Sequence, residues 1–171
     1  MIRQINFKSS KFSSRLTAFA AAMAVFLLIS SSVSAAGQCK EVHGHYVEHA
    51  VSANCTSPVG LCIEGEYSGM VRGAFSGAAT ALIPTADTPT TGVVLFTSNS
   101  VIHASVGLKS GDLLIKNAGA FHTVGAGEIV DLQLITGGTG DFTGASGAIR
   151  ASGVFVNGSG QSDYDGMICL P

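Results

Sequence analysis

The chain has 171 residues, 22 of them glycine and none tryptophan, with a formal charge of −2. Four of its nine basic residues (Arg3, Lys8, Lys11 and Arg15) stand in the first 36 positions, so the remainder carries five basic against eleven acidic residues, a formal charge of −6. A surface of that sign repels phosphate, which argues against nucleic acid and anionic lipid as partners.

Residues 1–36 have the order of a secretory signal peptide. The basic residues come first, the apolar run Leu16–Ile29 follows, and small, hydroxyl-rich residues close the stretch from Ser30 to Ala36. The apolar run is 14 residues, short of the roughly 20 a membrane-spanning helix needs. Cleavage after Ala35 or Ala36 is expected, leaving a secreted, periplasmic or extracellular protein without a membrane span. Gln38 before Cys39 speaks against lipid attachment.

Residues 37–60 read as a Cys/His leader with little apolar periodicity. His43, His45 and His49 lie close together, and Glu41 or Glu48 is available as a further ligand for a metal. A solvated polar segment is the alternative, and no metal or other cofactor is expected. Cys39, Cys55, Cys62 and Cys169 make an even set in an exported domain, and no C-x-x-C pair suggests zinc, so two disulfides are expected.

From residue 61 to 171, short runs rich in Val, Ile, Leu, Phe and Thr alternate with Gly, Asn, Asp, Ser and Pro. Strands are predicted near 61–67, 69–83, 92–98, 101–107, 111–121, 127–136, 147–157 and 161–169. Pro84 and Pro89 bound a loop, Ser110-Gly111-Asp112 marks a tight turn, and Asn157-Gly158 is a hairpin signal. Eight strands with short connections form an antiparallel meander, and closing it removes the exposed edges. The expected fold is all-β: an eight-stranded antiparallel closed barrel with a short N-terminal leader.

Strands 92–98 and 127–136 are apolar on both faces, which predicts a homo-oligomer or a cover supplied by the leader. A repeated G-x-F-[ST]-G-A core, at Gly73–Ala78 and Gly140–Ala145, suggests equivalent bends in two halves of the barrel, or chance in a glycine-rich chain.

Within Ile135-Thr-Gly-Gly-Thr-Gly-Asp-Phe-Thr-Gly-Ala-Ser-Gly147, Gly137, Gly138 and Gly140 permit a sharp turn with positive φ. Phe142 is then placed to plug one end of a core, and Gly144 and Gly147 allow close backbone approach. No helix or Lys follows, so the stretch is neither a dinucleotide nor a phosphate loop. It resembles the G-G-T-G-x-F-x-x-A-x-G segment of the allene oxide cyclase-like and dirigent-like barrel superfamily, in a secreted, bacterial-type form. The resemblance spans roughly residues 61–169 and is specific only at 135–147. It implies an eight-stranded barrel, trimer formation, and cyclase or isomerase chemistry in some members. It assigns no catalytic residue here.

Hydrolase signatures are absent, and Glu64 and Glu66 share one strand face that reads as an exposed outer one. The expected inner faces carry Leu61, Ile63 and Tyr67 on one strand, and Ser162, Tyr164, Gly166 and Ile168 on another. Candidate cavity residues are therefore Tyr67 and Tyr164, with His103, Asp131 and Arg150 as further members. Three functions follow: a barrel that binds a small apolar molecule or serves a structural or interaction role outside the cytoplasm; a cofactor-independent isomerase or cyclase; or an exported metal-binding protein. If the first and last strands are 61–67 and 161–169, closure sets Cys62 beside Cys169, and Cys39 pairs with Cys55 to pin the leader.

Overall fold

The computed structural model describes residues 38–86 and 88–171; the signal peptide expected over 1–36 lies outside them. Eight strands follow in chain order: β1 (Gln38–Val51), β2 (Cys62–Gly69), β3 (Val71–Pro84), β4 (Val93–Val106), β5 (Lys109–His122), β6 (Glu128–Gly138), β7 (Ser146–Val156) and β8 (Ser159–Leu170). Each runs antiparallel to its chain neighbour, and β8 pairs with β1, so the sheet closes as an up-and-down barrel.

The expected number of strands is present, but two assignments change. The segment read as a leader supplies β1, so the barrel starts at Gln38 and not at residue 61. The runs 92–98 and 101–107 are one strand, β4. Asn99 and Ser100 look like turn residues in sequence, yet β5 holds them extended. Lys116 Nζ donates to Asn99 Oδ1 at 2.6 Å, and Ser100 Oγ donates to Asn117 Oδ1 at 2.9 Å.

The disulfides also differ from the expected Cys39–Cys55 and Cys62–Cys169. Cys39 is bonded to Cys169, and Cys55 to Cys62. Closure does bring a cysteine of the first strand beside Cys169, but the first strand is β1, so the partner is Cys39. Cys55 and Cys62 then tie the connection between β1 and β2.

The two ends of the barrel are built differently. At one end the connections β2–β3 and β4–β5 are tight, and the 3-10 turn Gly140–Phe142 folds inward between β6 and β7. Gly140 takes φ +58, and a Cβ on Gly138 would stand 2.3 Å from the Asp112 carbonyl oxygen and 2.7 Å from Phe142 Cβ. Gly138 therefore serves close approach and not the positive φ expected of it. This geometry lets Phe142 enter the core, where it is fully buried with Leu113, Ile149 and Ile168. The repeated G-x-F-[ST]-G-A core does not mark equivalent bends, because its first copy lies within β3 and its second in this turn. The opposite end bears the longer connections 52–61 and 85–92, the latter with a one-turn helix α1 (Thr88–Thr91).

Candidate functional site

Strands in a barrel send alternate side chains in and out. On β1 this places Val42, Tyr46 and Glu48 inside and His43, Val47 and His49 on the outer face. Glu48 has a glycine beside it on each neighbouring strand, Gly65 on β2 and Gly160 on β8. A Cβ on Gly160 would stand 2.9 Å from Glu48 Oε1, so the absence of a side chain there makes room for the carboxyl group. On β6 the alternation opposes hydrophobicity: Asp131 and Gln133 point in and are buried, while Val130, Leu132 and Leu134 point out, 56%, 45% and 46% exposed. Asp131 is likewise flanked by small residues, Gly119 and Ala151.

Buried polar groups need partners, and here most have them. Tyr67 on β2 reaches across the barrel and donates to Gln133 Oε1 at 2.8 Å. Gln133 Nε2 and Asn117 Nδ2 both donate to Asp131 Oδ2, at 3.0 and 2.9 Å. Beneath them an aromatic layer crosses the barrel, with Tyr46 and Tyr67 ring centres 4.9 Å apart and Phe75 edge-on to both. Two carboxyl oxygens remain without a hydrogen-bond partner although fully buried: Glu48 Oε1 and Asp131 Oδ1.

Both carboxyl groups line a cavity of ≈ 60 Å³ above the aromatic layer, facing the end with the longer connections. One water needs about 10–15 Å³ on this measure, so the space holds several waters or the head of a larger molecule. Phe96, Phe121 and Phe155, all half-buried, line the same cavity. Burial, and then the nearby Asp131 carboxyl, raises the Glu48 pKa to about 7. Burial raises that of Asp131 too, against the two amide donors that lower it. Burial also raises the hydroxyls of Tyr46 and Tyr67, so both stay neutral donors. Two buried acids, both harder to ionise than usual, thus sit in a small, otherwise uncharged chamber. A wider groove on the outer face of β2 to β6 is open to solvent and holds none of the unpartnered buried oxygens.

Of the candidate residues, Tyr67 and Asp131 meet at this site. Tyr164 is also inside, but its hydroxyl accepts from the Val71 amide at 2.9 Å and bonds the Ser68 carbonyl, so it ties β8 to the β2–β3 turn below the cavity. His103 and Arg150 are not cavity residues. Each follows an inward residue, Ile102 or Ile149, so each points out, where His103 bonds Asp112 at 2.7 Å and Arg150 bonds Asp165 at 3.2 Å. His43, His45 and His49 lie on β1, and His45 bonds Asp163 at 3.2 Å. Among the described residues, no three His, Cys, Asp or Glu side chains come together to hold a metal. Glu48, Gln133, Asn117 and Tyr46 were not among the sequence candidates for the cavity. The signal for Glu48 was its place two residues after Tyr46, on the face opposite His43 and His49.

No family model matches the chain, and no curated protein matches it. Among solved structures it is similar to that of the pterocarpan synthase dirigent protein GePTS1, at 17% sequence identity and a TM-score of 0.30, over 83% of this chain and 95% of that one.

Proposed function

We propose that the barrel binds a small, largely apolar molecule at its open end. The carrying observation is the pair of buried, unpartnered carboxyl oxygens on Glu48 and Asp131 at the floor of a phenylalanine-lined cavity. Left empty, each costs roughly 1–3 kcal/mol or more of lost solvation, a cost that a ligand bearing hydrogen-bond donors would offset. The phenylalanines would take its apolar part. The test is an NMR titration of the isotope-labelled, disulfide-intact protein with a panel of small aromatic alcohols and amines. Saturable shifts confined to Glu48, Asp131 and the three phenylalanines are expected. No saturable shift at these residues with any member of the panel would remove this reading.

A second reading is favoured by one observation, the burial of the Glu48 carboxyl in a cavity it shares with Asp131, which pushes its pKa up to about 7. A carboxyl that gains and loses its proton near neutrality suits general acid–base work, as in a cofactor-independent isomerase or cyclase. Two disulfides and no free cysteine among the described residues support work outside the cytoplasm. The outward apolar row Val130, Leu132 and Leu134 supports a homo-oligomer, and a trimer is the assembly that the resemblance at residues 135–147 implies.

A further inference from the structure

We propose that the ligand of this cavity is a small aromatic or aliphatic ammonium ion, whose charged head lies between Glu48 and Asp131 and whose apolar body lies against Phe96, Phe121 and Phe155. This rests on the small-molecule reading above and names the class of molecule.

The argument is one of charge and donor count. Glu48 Oε1 and Asp131 Oδ1 are acceptors in search of donors. The titratable groups facing Glu48 are Tyr46 on its own strand, Tyr67 from β2 and Asp131 from β6. β8 brings Gly160 beside it and Ser162 beside Tyr46, and β3, β4, β5 and β7 bring Ala79, Ser98, Asn117 and Phe155 to the cavity wall. No Lys, Arg or His lines the cavity. The interior therefore holds acids with no cation, in surroundings where an uncompensated charge is expensive.

A primary ammonium supplies one positive charge and three donors, enough for both orphan oxygens and one further acceptor. Charge-assisted bonds of this kind are stronger than neutral ones. The rings at the cavity wall also suit a cation, because their faces carry negative potential. A metal ion fits poorly, since only two carboxyl groups converge and the other polar neighbours are amides and hydroxyls. An anionic ligand would meet two acids at the floor.

The experiment compares 2-phenylethylammonium with 2-phenylethanol, which replaces the ammonium by a hydroxyl on the same skeleton, and with 3-phenylpropionate. Binding to the disulfide-intact protein is measured by calorimetry at pH 8 and pH 5.5. The amine stays protonated at both values. At pH 8 it is expected to bind about tenfold or more tighter than the alcohol, and the propionate not at all. At pH 5.5, where Glu48 holds its proton, the advantage falls by about tenfold. In the double variant Glu48→Gln, Asp131→Asn the advantage disappears.

Equal binding of amine and alcohol, or binding of the propionate, overturns the ammonium assignment and leaves the small-molecule reading standing. An amine preference that survives the double variant also overturns it, because recognition is then elsewhere. Failure of all three probes to bind overturns both. Should the double variant not fold, carbon NMR of the Glu48 carboxyl in the unmodified protein decides. Saturating amine should move its titration down by roughly one pH unit or more, and an unmoved titration overturns the proposal.

Discussion

Cys39 and Cys169 are register partners across the β1–β8 seam, with Cα atoms 3.9 Å apart. The bond joins residues 130 positions apart, whereas Cys55–Cys62 spans 7. In the chain-entropy model the long loop contributes about 5 kcal/mol and the short one about 2–3 kcal/mol. Non-reducing peptide mapping should recover these two pairs. Cys39→Ser with Cys169→Ser should lower the denaturant midpoint more than Cys55→Ser with Cys62→Ser. The reverse order would show that the seam holds without its bond.

Stability should fall as pH rises through the neutral range. Glu48 is harder to ionise folded than unfolded, so its contribution is complete below the ordinary Glu pKa of about 4.5 and is lost as pH rises through about 7. The full loss is about 3 kcal/mol for this one group, with Asp131 adding in the same direction. Glu48→Gln removes the ionisation. Its melting temperature should exceed that of the parent at pH 8 and not at pH 4.5. Parallel pH profiles for the two proteins would contradict the buried-acid assignment.

Phe142→Ala should be among the most damaging single changes at the closed end. The side chain is fully buried, and truncations of this kind cost about 3–5 kcal/mol. Chemical denaturation measures it. A cost under about 1 kcal/mol would mean that the 3-10 turn is not a plug. Because the cavity lies at the other end, binding by whatever fraction stays folded should be unchanged.

The outward leucines of β6 carry the oligomer proposal. Light scattering at micromolar concentration should give a trimer. Leu132→Lys with Leu134→Glu, both at solvent-facing positions, should yield a folded monomer. A parent protein that is already monomeric would leave the apolar row without that role.

The alternation of apolar residues was a good guide to β7 and β8 and a poor one to β6. Ser162, Tyr164 and Ile168 lie inside as their pattern indicates. His103 and Arg150 follow the same rule, since their neighbours Ile102, Ala104, Ile149 and Ala151 are the inward ones; parity alone would have put both outside. On β6 the same parity would have put Asp131 outside, and it lies inside because Asn117, Gln133 and Tyr67 form a network that only the closed barrel assembles. Glu48 was hidden for a different reason. Its strand shows three histidines and two glutamates to one face or the other, so it has no run of apolar residues to betray it, and only pairing with both β2 and β8 makes it a strand. Tyr67 and Asp131, two of the six polar residues of the site, were named from sequence, Tyr67 with its facing and Asp131 without; Tyr67 and Gln133, which bond each other, lie 66 positions apart in the chain.

Gln38 and Leu170 are register partners, and both belong to the end that Phe142 closes. A fluorophore, an affinity handle or a solid support attached before Gln38 or after Pro171 would therefore sit on the far side from the cavity. The barrel is pre-oriented for immobilisation: tethered at Gln38 or at Pro171, each copy turns the cavity end with Phe96, Phe121 and Phe155 away from the support, so a sensor surface coated with it would test the proposed binding with every cavity facing the sample.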